Sequence, residues 1–177
     1  MILTTDRLDL HPLPLTVIDA VLEGDLARAR TLVPYDVTDV TFATDGQVLR
    51  FRQVQLRADL TELPWLYRAA VLRGTREVVA RGGFHAPPDA DGTVEIGYSV
   101  QPTWRRQGLA TEIATGLIGW AREQGATRCL ASTSPDNVAS QAVLARLGFV
   151  RTGEQMDEID GLEWVFTLEL GGRAAVR

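Results

Sequence analysis

A short turn between a strand and a helix carries residue types that suit an anion. Residues 94–100 alternate apolar with polar or small side chains, as a half-buried strand does, and Pro102 ends the pattern. Beyond the turn, apolar residues recur at three- and four-residue spacing, namely Ala110, Ile113, Ala114, Leu117, Ile118 and Ala121. This spacing predicts one buried helical face, and Gly125 is placed to end the helix.

The turn and the first helical residues are Arg105, Arg106, Gln107, Gly108, Leu109, Ala110 and Thr111. The first N–H groups of a helix have no intrahelical partner and carry the positive end of its dipole, so a phosphate can accept hydrogen bonds from them. Gly108 and Ala110 let the backbone approach a ligand closely, and guanidinium groups match phosphate oxygens. The pattern predicts a phosphate-binding loop, although an arginine-rich turn before a helix is also ordinary protein surface.

A second motif lies later in the chain. Ser134 and Pro135 predict the start of another helix, with serine as the cap and proline at the first helical position. The residues that follow include Asn137, Ser140, Leu147, Gly148 and Phe149.

Together, the two motifs resemble those of the GCN5-related N-acetyltransferases, the GNAT superfamily. Arg105-x-x-Gly108-x-Ala110 resembles the family's acetyl-CoA pyrophosphate loop, and the later run resembles its Asn-x-x-Ser to Leu-Gly-Phe motif. Residues 5–10 and the run 95–98 resemble the RimJ/RimL-like branch, which includes N-terminal protein acetyltransferases and enzymes for small amines. The resemblance covers nearly the whole chain.

The rest of the chain predicts an α/β domain with a mixed sheet. The predicted elements are a strand at residues 7–13, two short helices within 15–32, a helical stripe of Val48, Phe51, Val54, Gln55 and Ala58, strands at 65–72 and 77–85 joined as a hairpin, a parallel strand at 127–133, and a closing hairpin of 149–156 and 162–170 through Asp160 and Gly161. Gly82 and Gly83 predict a bulge or a close backbone approach.

The resemblance implies the GNAT fold, in which a mostly antiparallel sheet contains a central parallel strand pair that splays apart and helices flank the sheet. A single domain over residues 1–177 is expected, with 171–177 as a frayed tail. A length of 177 residues and a hydrophobic content of 45% suit one domain with a sizeable core.

The resemblance also implies direct transfer of an acetyl group from acetyl-CoA to a primary amine, without a metal. Pantetheine would enter the gap between the splayed strands and bind the backbone of Val100. The pyrophosphate would bind N–H groups of residues 107–111, and the Asn137 side chain would contact the pantetheine arm. Asn137 could equally be only the first residue of its helix.

Glu95 and Ser140 are the acid–base candidates. The attacking amine must be neutral, so a base must remove its proton. Glu95 lies at the position that resembles that of the catalytic base in the family's histone-acetylating branch. Burial would raise the pKa of Glu95 towards a useful range, but the residue could also be a solvent-facing strand residue. Many family members place a tyrosine acid where this chain has Leu144, so Ser140 is the candidate donor to the thiolate, or else a serine that bonds its own helix. Tyr98 is expected in the core or the pocket wall.

Other polar residues are predicted to be structural. Cys129 lies in an apolar run typical of a buried strand. His11 and His85 are expected to have no catalytic role, although His85 could act as an acid or base. Asp36, Asp39 and Asp45 form either a solvated loop or a group of carboxylates that attracts a cationic acceptor.

The composition limits the classes of molecule that the protein is expected to bind. A net charge of −5 argues against general nucleic-acid binding and is compatible with an amine-bearing small molecule or a protein N-terminus as acceptor. No charged start followed by a long apolar run occurs, so a soluble, cytoplasmic protein is expected, without membrane binding. Family members are often homodimers. Two alternatives stay open: a sensor that binds acyl-CoA without catalysis, and another nucleotide-binding domain, whose usual glycine motifs are absent.

Overall fold

The computed structural model describes residues 1–157 and 161–171, which form one eight-stranded mixed sheet with helices on both faces. The strands are β1 (Leu3–Thr4), β2 (Leu8–Pro12), β3 (Arg68–Leu72), β4 (Val78–Phe84), β5 (Thr93–Val100), β6 (Arg128–Thr133), β7 (Val150–Asp157) and β8 (Gly161–Glu169). The helices are α1 (Leu15–Leu22), α2 (Leu26–Thr31), α3 (Gly46–Ala58), α4 (Leu109–Glu123) and α5 (Val138–Arg146).

The sheet order is β1-β2-β3-β4-β5-β6-β8-β7, and β5 and β6 are the parallel pair. All other neighbours are antiparallel. The predicted α/β class, the mixed sheet and the parallel central pair are therefore confirmed. The short strand β1 was not predicted, because two residues are too few to show a period.

Helix α4 packs its apolar face on the centre of the sheet. The predicted residues Ile113, Ala114, Leu117, Ile118 and Ala121 are buried, and Leu109 and Trp120 join them. Trp120 lies edge-on to Trp65 and stacks with the buried Arg68 guanidinium. Because α4 is packed on the sheet in this way, its N-terminus lies near the end of β5.

Helix α3 exists where a helical stripe was predicted, but its buried face differs. Phe51 and Val54 are exposed, whereas Leu49 and Leu56 are buried against α1. The predicted face was wrong because the apolar residues of α3 occupy more than one side of the helix. Packing against α1 selects one of these sides.

The glycine pair in β4 marks a close approach and not a bulge. A Cβ on Gly83 would overlap the carbonyl oxygen of Leu66, and one on Gly82 would lie 2.6 Å from Ile113 Cγ2. The register shift in this hairpin instead lies between Ala70 and Val71 on β3.

The closing hairpin of β7 and β8 is confirmed as antiparallel. Of its predicted turn, Gly161 has φ +78°, while Asp160 lies outside the described residues, as do residues 172–177 of the expected tail. Across the two described ranges, no helix has the length and apolar character needed to cross a membrane.

Candidate active site

A cleft opens at the centre of the sheet because β5 and β6 pair over only three positions. Thr93, Val94 and Glu95 pair with Arg128, Cys129 and Leu130. Beyond these residues β5 continues beside β4 alone, and β6 continues beside β8. The splayed strand pair is thus confirmed.

The backbone of Val100 points into this cleft. The N–H of Gln101 donates to Val79 of β4, and successive residues of a strand point their backbone groups to opposite sides. The N–H and C=O groups of Val100 therefore face away from β4. In this structure the Val100 carbonyl accepts a hydrogen bond from Arg105 Nε at 3.1 Å.

The loop before α4 leaves a run of N–H groups free. Arg106 and Gly108 both adopt left-handed backbone angles, with φ of 61° and 79°, and the helix begins at Leu109. Its first intrahelical hydrogen bond runs from Glu112 N to Gly108 O. The N–H groups of residues 106–111 have no hydrogen-bond partner within the described part of the chain, which is the arrangement that a bound anion needs.

Arg7 and Glu112 hold this loop in place, and the sequence analysis missed both. Arg7 donates to Glu112 Oε2 at 2.7 Å and to the carbonyl of Gln107 at 3.0 Å. Glu112 Oε1 also accepts from Thr5 Oγ1 and from the backbone N–H of Arg7. Burial raises the pKa of Glu112, but these hydrogen bonds outweigh burial and lower it below 4.5. An acid in the first helical turn was the only local signal.

A cavity of about 660 Å³ joins the loop to α5. Its lining includes Arg105, Arg106, Gly108, Asn137 and Ser140. Two arginines, free N–H groups and an open face at Gly108, where an added Cβ would meet only Arg7 Nη2 at 3.6 Å, fit a phosphate-bearing ligand. The predicted binding residues Arg105, Arg106, Gly108 and Asn137 thus border one cavity, and their role in binding stays a prediction.

Helix α5 begins later than predicted. The cap is Asn137, whose Oδ1 accepts from the N–H of Ser140 at 3.1 Å, and Ser134 instead donates to Asp136 at 2.6 Å. Ser134 as the cap was wrong because Asn137 accepts the free N–H one turn further on. Capping uses only Oδ1, and Nδ2 has no partner in the described ranges.

Ser140 and Tyr98 meet across the cleft. Their hydroxyl oxygens lie 3.2 Å apart, which joins the start of α5 to β5. Burial raises the pKa of Tyr98, partly offset by the hydrogen bond with Ser140. Tyr98 is half-buried and lines the cleft, so it belongs to the pocket wall, as one of its two predicted places. Leu144 is fully buried in the core.

Glu95 lies at the point where β5 and β6 part, and it has two hydrogen-bonding neighbours. Ser132 Oγ donates to its Oε1 at 2.7 Å, and His85 Nδ1 lies 3.5 Å from its Oε2. Burial raises the pKa of Glu95, but the contacts with His85 and Ser132 outweigh burial and hold it below 4.5. The side chain is 24% exposed. Burial alone raises this pKa, as the sequence analysis stated, but the polar partners that accompany the burial reverse the direction of the shift.

The surroundings of Glu95 could not be read from local patterns. Gln155 Nε2 donates to Ser132 Oγ at 3.2 Å and to Glu163 at 3.0 Å. These side chains come from β6 and from the hairpin of β7 and β8, all of which lie far along the chain from Glu95. Only the folded sheet places them beside Glu95.

A second cavity, of about 460 Å³, lies beside Glu95, and its lining includes Arg52, Arg81, His85, Asp157 and Glu163. A middle cavity of about 320 Å³ shares Gly97 and Tyr98 with it, and shares Asn137 and Ser140 with the loop cavity. The three cavities form a continuous path from the loop, past Ser140, to Glu95.

The three loop aspartates do not form a common acceptor site. Asp45 is buried, where its carboxylate pairs with Arg81 at 2.8 Å and accepts from Tyr67 at 2.6 Å. Asp36 pairs with Arg76 on the surface, and Asp39 is exposed. The solvated-loop prediction was wrong for Asp45 because a buried arginine contact neutralises it.

The remaining candidates behave as structural residues. Cys129 is fully buried, which raises its pKa to about 12, and His11 packs edge-on against Tyr35. Within residues 1–157 and 161–171, no group of three or more histidine, cysteine, aspartate or glutamate side chains is arranged to hold a metal ion.

Comparisons with known proteins agree with this geometry. The chain is 27% identical over 162 residues to the uncharacterized N-acetyltransferase YjdG of Bacillus subtilis, covering 85% of this chain and 90% of that protein. It is 38% identical over 89 residues to the [ribosomal protein uS5]-alanine N-acetyltransferase of Escherichia coli, covering 49% of this chain and 42% of that protein.

The fold matches solved structures over most of their length. The structure described as RimL, the ribosomal L7/L12 alpha-N-protein acetyltransferase in complex with coenzyme A, superposes with a TM-score of 0.64 at 15% identity, over 96% of this chain and 98% of that chain. A family model described as an acetyltransferase (GNAT) domain matches residues 7–150. Because that match includes the loop, the splayed strands and α5, the chain belongs to the GNAT acetyltransferase family and resembles its RimJ/RimL-like members.

Proposed function

We propose that this acetyltransferase is a cytoplasmic enzyme that moves the acetyl group of acetyl-CoA directly to a primary amine, on a protein N-terminus or a small molecule. The observation that carries the proposal is the continuous path from the free N–H groups of residues 106–111 to Glu95. A donor with a phosphate end and a reactive thioester end, bound in the loop cavity, would present the thioester to an acceptor beside Glu95.

The donor would occupy the half of the path between the loop and α5. Its pyrophosphate would accept hydrogen bonds from Gln107, Gly108, Leu109, Ala110 and Thr111, with Arg105 and Arg106 adding positive charge. Both arginine residues are exposed at the loop. Arg105 would exchange its bond with the Val100 carbonyl for a phosphate, which would release that carbonyl to the pantetheine arm.

The reacting ends would meet between Asn137, Ser140 and Glu95. Nδ2 of Asn137 would donate to a pantetheine carbonyl while Oδ1 keeps its capping bond. Ser140 would donate a proton or hydrogen bond to the departing thiolate, because its hydroxyl already lies on the shared wall of two cavities. The carboxylate of Glu95, ionised at neutral pH, would attract the acceptor's ammonium group.

The two related acetyltransferases named for ribosomal-protein substrates support a protein N-terminus as one acceptor class. The second cavity, of about 460 Å³ beside Glu95, would hold the acceptor and is called the acceptor cavity. The net charge of −5 and the cavity's carboxylates Glu95, Asp157 and Glu163 favour a cationic amine in either class.

The test of the donor site is Gly108→Glu, which adds bulk and a negative charge beside the proposed pyrophosphate. Gly74→Glu is a matched control, since Gly74 has φ +80° in the β3–β4 turn and undergoes the same charge change and similar backbone strain. Calorimetric titration with acetyl-CoA should give wild-type affinity for the control and at least about a tenfold weaker affinity for Gly108→Glu, which is about 1.4 kcal/mol.

The same samples test the transferase reaction through release of free thiol. The probes are alanine- and serine-initiated peptides and a panel of small primary amines. Turnover with any of them supports the enzyme, whereas binding without turnover supports the alternative of an acyl-CoA sensor. Equal acetyl-CoA affinity in both glycine variants contradicts the proposed loop.

A further inference from the structure

His85 is held beside Glu95 by backbone contacts with two elements, β5 and α3. Its backbone N–H donates to the Glu95 carbonyl at 2.9 Å, and its own carbonyl accepts from Arg52 and Gln55 of α3 at 2.8 and 2.9 Å. These contacts fix the backbone of His85, which lies just beyond the end of β4. Its side chain is 54% exposed and lines the acceptor cavity, so the residue is held by its backbone while its imidazole stays accessible.

The imidazole lies beside β5, next to positions 95 and 97, which share one face of the sheet. Nδ1 is 3.5 Å from Glu95 Oε2, and a Cβ added to Gly97 would lie 3.3 Å from Nε2. Glycine at position 97 therefore leaves open the space in front of Nε2. That space belongs both to the acceptor cavity and to the middle cavity that leads to Ser140.

The carboxylate of Glu95 favours one position for the imidazole proton. An ionised carboxylate only accepts hydrogen bonds, so a proton on Nδ1 would point towards Oε2, 3.5 Å away, and Nε2 would keep its lone pair. Ser132 occupies the other carboxylate oxygen, and Gln155 supports Ser132. Nε2 has no hydrogen-bond partner among residues 1–157 and 161–171, so it is available to an acceptor.

We propose that His85 Nε2 is the base that takes the proton from the acceptor's ammonium group, and that Glu95 is a positioning residue that orients the imidazole and stabilises its charged form. This inference rests on the proposed function and revises the sequence-based role of Glu95. A carboxylate that is held ionised by its polar neighbours is a weak base at neutral pH, whereas an imidazole nitrogen with a free lone pair is the group that most often acts as a general base.

The step balances as follows. The ammonium N–H bond breaks, its proton moves to Nε2, and the neutral amine attacks the thioester carbonyl carbon. The new C–N bond forms as the C–S bond breaks, and the second nitrogen proton passes to the thiolate, with Ser140 as the near donor. The imidazolium then releases its proton to solvent through the open side of the cavity, so each turnover yields amide, CoA thiol and one proton.

Several other charged or titratable groups face this site. They are Arg52 of α3, Arg81 of β4, Asp157 of β7, Glu163 of β8 and the phenols of Tyr67 and Tyr98. Arg81 is paired with Asp45, and burial, followed by repulsion from Arg81, lowers the pKa of Arg52 to about 10. Arg52 therefore stays charged at neutral pH, and the acidic groups Glu95, Asp157 and Glu163 belong to the same lining.

The kinetic test uses His85→Gln, which keeps a side chain of similar size, with His11→Gln as the matched control. His11 is the only other histidine and packs against Tyr35. At pH 7, with the best acceptor from the amine panel, His85→Gln should lower kcat about 100-fold or more and leave acetyl-CoA affinity unchanged. The deficit should shrink as the pH approaches the acceptor's own pKa. Added imidazole should restore part of the activity of His85→Ala.

A second readout does not depend on turnover. Nitrogen-15 NMR of the two histidines at alkaline pH should show His85 as the Nδ1–H tautomer in the wild type, and Glu95→Gln should shift it towards the Nε2–H form. Unchanged kcat in His85→Gln, or an Nε2–H tautomer in the wild type, overturns the assignment. If the wild type binds acetyl-CoA but acetylates no amine, the proposed function fails, and the base assignment fails with it while the tautomer result stands.

Discussion

At the scale of single residues, the proposed proton donor to the leaving thiolate, Ser140, has one side-chain contact across the cleft. The hydroxyls of Ser140 and Tyr98 lie 3.2 Å apart, and burial keeps the phenol protonated at neutral pH by raising its pKa. The phenol can therefore donate to Ser140 Oγ, which leaves the serine proton free for another acceptor. Tyr98 then orients Ser140 and need not touch the sulfur itself.

This arrangement predicts unequal effects of two substitutions. Ser140→Ala should lower kcat by about 10- to 100-fold, the lower part of the range for proton transfer, because a CoA thiolate leaves fairly easily. Tyr98→Phe should lower kcat by less than tenfold, and both variants should keep the wild-type affinity for acetyl-CoA. Single-turnover thiol release, with calorimetry alongside, measures both quantities. A larger loss in Tyr98→Phe than in Ser140→Ala would reverse the order of the two hydroxyls.

Residue types in a motif are readable from the sequence, but their partners are not. The loop residues 105–111, Asn137 and Glu95 could be named because each belongs to a short local pattern. Ser132 and Gln155 could not, since each lies on a different strand and reaches Glu95 only through sheet pairing. The pKa of Glu95 shows the consequence, because burial raises it while the hydrogen-bonding partners, which the sequence does not reveal, lower it by a larger amount.

At the scale of elements, the N-terminal segment is tied to the start of α4. Glu112 accepts hydrogen bonds from Thr5 Oγ1, from the Arg7 backbone and from the Arg7 side chain. Arg7 in turn holds the Gln107 carbonyl, so one carboxylate orders both the first residues and the loop. An acid in this first turn is also favoured by the helix dipole.

The pH dependence of stability should report this tie. Glu112 has a folded-state pKa below 4.5, so its contribution is complete above that pH and disappears as the pH falls through the folded value. Glu112→Gln should lower the free energy of unfolding by about 1–2 kcal/mol at pH 7, and the difference from wild type should vanish at lower pH. Urea unfolding between pH 3 and pH 7 measures both.

Glu123→Gln is the matched control, because Glu123 is exposed in the last turn of the same helix. It should change the unfolding free energy by no more than about 0.5 kcal/mol at any pH. A Glu112→Gln difference that persists unchanged to pH 3 would mean that the carboxylate charge is not what orders the N-terminal segment.

Helix prediction from periodicity succeeded or failed according to how completely one face is apolar. The stripe of α4 is unambiguous, and all but Ala110 of its predicted residues are buried. In α3, Phe51 and Val54 fit a helical apolar spacing as well as Leu49 and Leu56 do, yet the first two are exposed and the last two are buried. The sequence therefore predicts the helix, while contact with α1 determines its buried face.

At the scale of the whole molecule, the sheet consists of two halves that share only a short ladder. Strands β1 to β5 form one half and β6 to β8 the other, and three residue pairs between β5 and β6 join them. Acetyl-CoA in the proposed pose would contact both halves, through Val100 on one side and Asn137 and Ser140 on the other. The ligand would thus add contacts where the protein itself has few.

Binding should therefore raise the stability of the whole chain and protect both sides of the cleft. At 100 times its dissociation constant, acetyl-CoA adds about 2.7 kcal/mol to folding, which for a chain of this length is a rise in Tm of about 5–10 °C. Differential scanning calorimetry measures the rise, and amide exchange locates its origin. Exchange should slow at residues 106–111, at Val100 and at the start of α5.

Adenosine 3′,5′-bisphosphate separates the two parts of this expectation, since it carries only the nucleotide end of the ligand. At saturation it should slow exchange in residues 106–111 and leave Val100 and the start of α5 at their unliganded rates. In Gly108→Glu, acetyl-CoA at the wild-type concentration should give a much smaller rise in Tm, while Gly74→Glu should retain it. Equal protection of Val100 by the nucleotide and by acetyl-CoA would show that pantetheine does not join the two halves of the sheet.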